Sequence, residues 1–298
     1  MKKTKLADIN SMKISVALPT YNGEKFLISL LDSIAAQTYS INELVICDDA
    51  SKDQTLDLVR DFSRSTRNFE IKLLTNRYNL GLIKNVSKAI KHCAGQFIFL
   101  ADQDDIWEKY KVETFLREFG NGKKEYLISN MSVIDAFGSN NGVTWVEYCE
   151  KIFGFSSSYH MNGCAVGATK SFFQSCLPIP PGKGHDVWFA YCARRLKTRK
   201  FINEPLMKYR VHETGQTSKN FIDLIQKGPI EQISKKEQQE MRIYDNDGKS
   251  IVFRKIKTII FSDALLTLFL TKLTMHFYFL WVKIKWKTLH QIENWSLK

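Results

Sequence analysis

The sequence predicts an α/β fold, a mostly parallel sheet flanked by helices, and three observations carry that expectation. Strand-like apolar runs recur at an interval of about 27 residues. Amphipathic stretches of helical period fill the intervals. Each run ends in a polar segment rich in Asp, Asn or Gly. Such alternation builds right-handed βαβ units whose sheet is covered on both faces. A chain of 298 residues with 44% hydrophobic content can bury that core in one large domain, or in one domain plus an appendage.

The elements follow in order. Ile14 to Pro19 (ISVALP) is the first strand, and Phe26, Leu27, Leu30, Leu31 and Ile34 share one face of the next helix. Glu43 to Asp49 is the second strand; Ser51 with Gln54 has the spacing of a capping box that opens a helix through Leu56, Val59 and Phe62. Phe69 to Leu74 precedes a helix with Leu82, Ile83, Val86, Ala89, Ile90 and Cys93 on one side, and Gln96 to Asp102 is the fourth strand. Beyond Trp107 the spacing predicts a helix from Glu108 to Phe119, a strand in EYLISN, a long loop region from Phe137 to Ser158, a strand from Gly163 to Thr169 and a helix from His185 to Leu196. Ligands in such folds sit beyond the carboxyl ends of the strands, so PTYNGE, CDDASKD, TNRYNLG and ADQDD should converge on one rim.

The six cysteines, Cys47, Cys93, Cys149, Cys164, Cys176 and Cys192, show no CxxC pair and read as reduced core thiols of a cytosolic protein. The first residues are basic without an apolar run behind them, which argues against a secretory signal. The net charge is +12, and half of it falls between Ile251 and Lys298. That tail is also the most apolar region. Asp263, Thr267, Thr271 and Thr274 form a polar stripe in it, and Asp263 and Lys272 would be costly at mid-membrane. Two readings stand open: interfacial helices on an anionic leaflet, with Phe277, Tyr278, Phe279 and Trp281 at the surface, or a helical pair buried against the preceding domain.

Asp102, Asp104 and Asp105 end an apolar strand. Three carboxylates so close raise one another's pKa, and a divalent cation relieves the repulsion. Hard oxygen ligands at this spacing favour Mg²⁺ or Mn²⁺, whereas Asp105 alone could serve as a helix cap. Asp48 or Asp49 could accept from a base N–H or a ribose hydroxyl, or could simply order a turn.

Taken together, ISVALPTYNGEKFLISLLDSIAAQTYSINELVICDDASKDQT, NLG and FIFLADQDDIW resemble glycosyltransferase family 2, enzymes of the GT-A fold that transfer a sugar from a nucleoside diphosphate. The resemblance implies that Pro19, Thr20, Tyr21 and Glu24 line the nucleotide pocket and that Asp49 or Asp48 meets the base or ribose. It places Asn79, Gly81 and Gln103 beside the donor as well, and Asp102 and Asp104 in a DxD element that holds diphosphate through a metal. NGCAVGATKSFF resembles the acceptor-side segment, with Gly163 and Cys164; GHDVW resembles the motif of the catalytic base, which makes Asp186 the base and sets His185 and Trp188 on the acceptor side. YRVHETGQTS is similar to the closing segment of a rhamnosyltransferase-like branch, with Arg210 and His212 touching diphosphate or metal. His185 departs from the family pattern, where Glu commonly precedes the Asp.

The expectation is an inverting, metal-dependent transferase with a catalytic domain over residues 13–218 and a helical extension over residues 219–298. Its partners would be a dTDP- or UDP-linked sugar, a lipid-linked glycan acceptor and the anionic inner face of the plasma membrane. Trp188 and Lys183 also have ordinary readings, as core and solvated loop. A nucleic-acid-binding protein is the competing class, because the chain is basic with interleaved aromatics. Acids at the presumed rim oppose it, since they repel a phosphate backbone. A non-catalytic scaffold of the same fold is opposed by the intact Asp102, Asp104 and Asp186 set. With no GxxxxGK[ST] stretch, a P-loop enzyme is not supported.

Overall fold

The computed structural model describes residues 12–120, 124–153, 161–213, 215, 279, 281–283 and 285. They fall into two compact units: Met1–Met131, Met161–Tyr209 and Val282–Lys298 in the first, Ser132–His160 and Arg210–Trp281 in the second. In chain order the elements are β1 (Ile14–Thr20), α1 (Leu27–Ala35), β2 (Glu43–Asp48), α2 (Thr55–Ser65), β3 (Glu70–Thr75), α3 (Leu82–His92), β4 (Phe97–Leu100), β5 (Ile106–Trp107) and α4 (Lys111–Gly120). There follow β6 (Tyr126–Ile134), β7 (Asn140–Thr144), α5 (Trp145–Phe153), β8 (Val166–Thr169), α6 (Lys170–Cys176), α7 (His185–Arg195) and β9 (Arg199–Arg210).

The first unit is organised by one sheet in the order β3-β2-β1-β4-β8-β6-β9-β5. Strands β3, β2, β1 and β4 run parallel. β8 then pairs antiparallel with β4 and β6, and β5 antiparallel with β9. Every residue of β1, β2 and β4 is buried, which is why those strands read as unbroken apolar runs rather than alternating ones. Leu27, Leu30, Leu31 and Ile34 of α1 and Val86, Ala89 and Ile90 of α3 turn their apolar stripes inward. An aromatic cluster, Phe97, Phe99, Phe115, Phe119 and Trp107, packs in tilted and edge-on pairs 5.1 to 5.6 Å apart.

Register sets the rim. Thr20 lies opposite Asp48, which lies opposite Thr75, so three strands end at one level. β4 stops at Leu100, opposite Ala17, and Asp102 follows two residues later. Two extended residues bring Asp102 level with Pro19, one residue short of the Thr20 level.

In the second unit, Ser132 and Ile134 of β6 pair with Thr144 and Asn140 of β7 across a shifted register. Arg210 holds the turn: its Nη1 donates to the Asp135 and Ala136 carbonyls at 3.3 and 3.1 Å.

Two local expectations are corrected, and one strand, β9, was not foreseen. Ser51 and Gln54 form no capping box: Ser51 Oγ donates to Asp48 at 2.6 Å, and Asp53 instead accepts from the Thr55 backbone and hydroxyl at 3.1 and 2.5 Å. The Asp carboxylate, two residues nearer the helix than Ser51, reaches the open Thr55 N–H. The loop expected from Phe137 to Ser158 contains β7 and α5, because Thr144 and Glu147 close a reciprocal cap at 2.9 Å and 3.3 Å. β9, twelve residues long, has a mixed burial pattern and no clean alternation.

Candidate active site

The rim is built from four post-strand loops and the start of α7. After β1, Thr20 is buried and its hydroxyl donates to Asp48 at 2.8 Å, while the Tyr21 ring is 44% exposed. Glu24 is exposed; its carboxylate accepts from the Gln54 N–H at 2.9 Å and so ties the first loop to the second. Pro19, the last residue but one of β1, is buried opposite Cys47.

Asp48 and Asp49, expected at the base or ribose, are both buried and engaged inward. Asp48 accepts from Thr20 Oγ1, the Ser51 N–H and Ser51 Oγ at 2.8, 2.9 and 2.6 Å. Asp49 accepts from Asn76 Nδ2, the Leu80 N–H and the Gly81 N–H at 2.7, 2.7 and 2.8 Å. These bonds order the loops that make the rim. Gly81 takes φ +84°, a conformation costly for any residue with a Cβ, which lets its N–H meet Asp49 and the Asn79 side chain together. Asn85 continues the network from α3, joining Asn76 at 2.9 Å to the Cys47 carbonyl at 2.6 Å.

The loop after β4 carries the acids. Asp102, Gln103 and Asp104 are partly exposed, whereas Asp105 is fully buried. Burial pushes the Asp102 carboxyl up to about 7, with Asp104 and Asp186 adding like-charge repulsion. Asp186 stands in the first turn of α7, with Oδ1 accepting its neighbour Val187 N–H at 2.7 Å. Two separate segments thus bring carboxylates within electrostatic reach of each other.

One oxygen each of Asp102 and Asp105, with the Cys164 thiol, lie within 4.8 Å of one another. The thiol does not fit a hard dication: burial raises its pKa well above the usual thiol value, so it stays protonated. Asp105 is also within electrostatic reach of a buried cation. Lys111 is fully buried, donates to the Cys164 carbonyl at 2.9 Å and lies 4.2 Å from the Trp107 ring centroid. Burial lowers its pKa to about 8, against the pull of Cys164, Asp105 and Asp102. Carboxylate oxygens such as those of Asp102, Asp104 and Asp105 are the donor type that Mg²⁺ or Mn²⁺ takes, and Lys111 offsets the charge of Asp102 and Asp105.

Gln103, expected against the donor, is used otherwise: its Oε1 accepts from the Tyr21 N–H at 2.9 Å and its Nε2 donates to the Tyr21 carbonyl at 3.0 Å. Trp188 is core rather than acceptor-side. It is completely buried, and its indole N–H donates to the Cys176 carbonyl at 2.8 Å. Gly163 and Cys164 are buried in a 3₁₀ turn before β8, where a Cβ on Gly163 would stand 2.5 Å from His185 Nε2. Burial lowers the His185 pKa, partly opposed by Asp186, so the imidazole beside the candidate base is neutral at pH 7. His212 is buried in the second unit, as is Arg210. Sequence reasoning missed Lys111, whose signal was a lysine at a helix start followed by Val112, Phe115 and Leu116, and it missed the anchoring pair Asn76 and Asn85.

Known proteins agree with this architecture. Residues 15–177 match Glycosyl transferase family 2. The chain is 35% identical over 139 residues to the UDP-Glc:alpha-D-GlcNAc-diphosphoundecaprenol beta-1,3-glucosyltransferase WfgD of Escherichia coli, a match over 44% of this chain and 53% of that protein. It thus spans about half the length of that relative, and 22% of the poly(ribitol-phosphate) beta-N-acetylglucosaminyltransferase TarS of Staphylococcus aureus. The fold is similar to residues 1–349 of TarS in complex with UDP-GlcNAc, with TM-score 0.61, 19% identity, and 82% and 76% of the two chains covered. It is also similar to the mannosyltransferase PcManGT of Pyrobaculum calidifontis in complex with GDP-Man and Mn²⁺, with TM-score 0.57, 16% identity, and 93% and 88% covered. The parallel strands, the acidic loop after β4 and the match over more than half of the sequence together show that this chain belongs to glycosyl transferase family 2.

Proposed function

We propose that the protein is an inverting, metal-dependent glycosyltransferase that moves a sugar from a nucleoside diphosphate to a hydroxyl of a lipid-linked glycan or growing polysaccharide. The observation that carries this reading is the convergence of Asp104, from the same rim loop, and Asp186, from the start of a separate helix, within electrostatic reach of Asp102. Asp102 and Asp104 are suited to hold a dication, which when bound would supply neutralising charge to the departing diphosphate. Asp186 takes the proton of the acceptor hydroxyl as it attacks the anomeric carbon. A single base opposite a clamped leaving group gives inversion; retention by double displacement requires a second positioned carboxylate. The exposed Tyr21 ring offers a face to the nucleotide base, and the loops ordered by Asp48 and Asp49 hold that face in place.

The name of the WfgD relative and the UDP-GlcNAc complex of TarS favour UDP-glucose and UDP-N-acetylglucosamine as donors, and the former a GlcNAc-diphosphoundecaprenol as acceptor. dTDP-rhamnose, suggested by the YRVHETGQTS resemblance, is the third donor. A lipid-linked acceptor sets the reaction at a membrane surface, which the basic tail of residues 251–298 suits. Among the described residues no helix is long and apolar enough to cross a membrane. The test is a panel of sugar nucleotides with Mn²⁺ or Mg²⁺, scored by thermal stabilisation. One donor should raise Tm by several degrees only when metal is present; a panel with no metal-dependent shift overturns the proposal.

A further inference from the structure

We infer that Gln103 is a positioning residue that fastens the Tyr21 loop to the Asp102–Asp105 loop, so that the nucleoside-binding and metal-binding parts of the site become ordered together. This rests on the donor site proposed above and assigns Gln103 a role within it. The amide has both of its hydrogen-bonding ends spent on one residue, accepting from the Tyr21 N–H at 2.9 Å and donating to the Tyr21 carbonyl at 3.0 Å. In effect it adds one rung to the β1–β4 ladder beyond the point where β4 stops at Leu100. The Ala101 N–H makes the last backbone rung, to the Ala17 carbonyl at 3.1 Å.

A second observation reinforces the first. Gly23 is buried, and a Cβ there would stand 2.4 Å from Gln103 Oε1 and 2.7 Å from its Cδ. The loop is held at its end as well, by the Gly23 N–H donating to Thr55 Oγ1 at 2.8 Å. Gln103 is therefore boxed in by loop backbone, with its amide turned toward Tyr21. The two acids that flank it, Asp102 and Asp104, inherit their placement from that anchorage.

Gln103→Ala and Gly23→Ala both remove the clamp, the second by displacing the glutamine, and the double variant completes a cycle. Hydrogen exchange without ligand reads the clamp itself. The Tyr21 amide should exchange about tenfold or more faster in either single variant, with the amides of β1 and β4 unchanged. Gln103→Glu keeps the acceptor for the Tyr21 N–H but puts an oxygen against its carbonyl, and should fall between wild type and Gln103→Ala. Calorimetry with Mn²⁺ alone and with uridine alone, a probe that carries no phosphate, then reads the coupling. Both affinities should weaken several-fold in Gln103→Ala, and Gly23→Ala should add almost nothing in that background. Unchanged Tyr21 exchange overturns the clamp. Faster exchange with both affinities unaltered overturns the coupling. If wild type binds neither Mn²⁺ nor uridine, the donor-site reading and its coupling fall together, and the exchange data still decide the clamp.

Discussion

At the scale of the residue, the rim separates side chains that face a ligand from side chains that hold the rim in shape. Asp49 resembles a ligand-binding acid in sequence, yet it accepts three hydrogen bonds from the segment Asn76–Gly81 and is 2% exposed. Asp49→Ala should lower the stability of the ligand-free protein by about 3 kcal/mol, since hydrogen bonds to a charged group are the stronger kind. Urea unfolding checks this; an unchanged midpoint would return Asp49 to a role in ligand contact alone. Asp102 gives a pH signature. Its pKa in the folded protein, about 7, lies above the ordinary carboxylate value, so its contribution to stability is full below about pH 4 and is lost as pH rises through 7. A dication binds the ionised form. Mn²⁺ stabilisation, followed by Tm, should therefore grow steadily between pH 5 and 8, and a flat profile would detach Asp102 from the metal.

At the scale of the element, the loop after β4 rests on α4. Lys111 enters that helix fully buried, and the acids of the loop contribute its favourable charge interactions. Replacing one member of such a buried set leaves the other uncompensated, at about 3–5 kcal/mol. Lys111→Met should destabilise by that order in denaturant, and Asp105→Asn in the same chain should recover part of the loss. Strict additivity of the two would show that they do not interact. The same elements show what was legible in the sequence. β1, β2 and β4 are buried from end to end and mostly apolar because both faces are covered, and that pattern is readable without a structure. Asp102, Asp104 and Asp186 drew attention in the sequence because they stand in post-strand or helix-start positions, and the structure brings Asp104 and Asp186 within electrostatic reach of Asp102. Gln103 was misread, since its partner is the backbone of Tyr21, and backbone hydrogen bonds leave no trace in residue types. β7 and α5 were hidden in a stretch whose Gly, Ser and Asn suit loops, although the Thr144–Glu147 cap was present in it. Trp188 had two readings, acceptor-side from its place beside Asp186 and core from its type, and its complete burial on α7 supports the core reading.

At the scale of the whole molecule, the basic tail was the least determined part. Its stretch from Ile256 to Ile284 lies outside the described residues except at 279 and 281–283. Where it is described, Val282 is completely buried, and Lys285 Nζ donates to the Gln174 and Leu177 carbonyls at the end of α6. Those contacts fit the packing alternative at these residues. Removing residues 282–298 should lower Tm by several degrees, and cosedimentation of the full chain with anionic vesicles measures the interfacial alternative independently; an unchanged Tm with lost vesicle binding would favour the membrane surface. The acids on the rim and the excess of cations in the tail give this chain two chemically distinct regions, in keeping with a small charged donor and an acceptor carried on a lipid.

The central claim is that Asp102 and Asp104 grip a nucleoside diphosphate through a dication while Asp186 acts on the acceptor. Titration calorimetry with UDP, with and without Mn²⁺, on wild type, Asp104→Asn and Asp186→Asn tests it most directly. Wild type should bind UDP at least tenfold more tightly with Mn²⁺, Asp104→Asn should lose that gain, and Asp186→Asn should keep it. Metal-dependent binding that survives in Asp104→Asn would contradict the account.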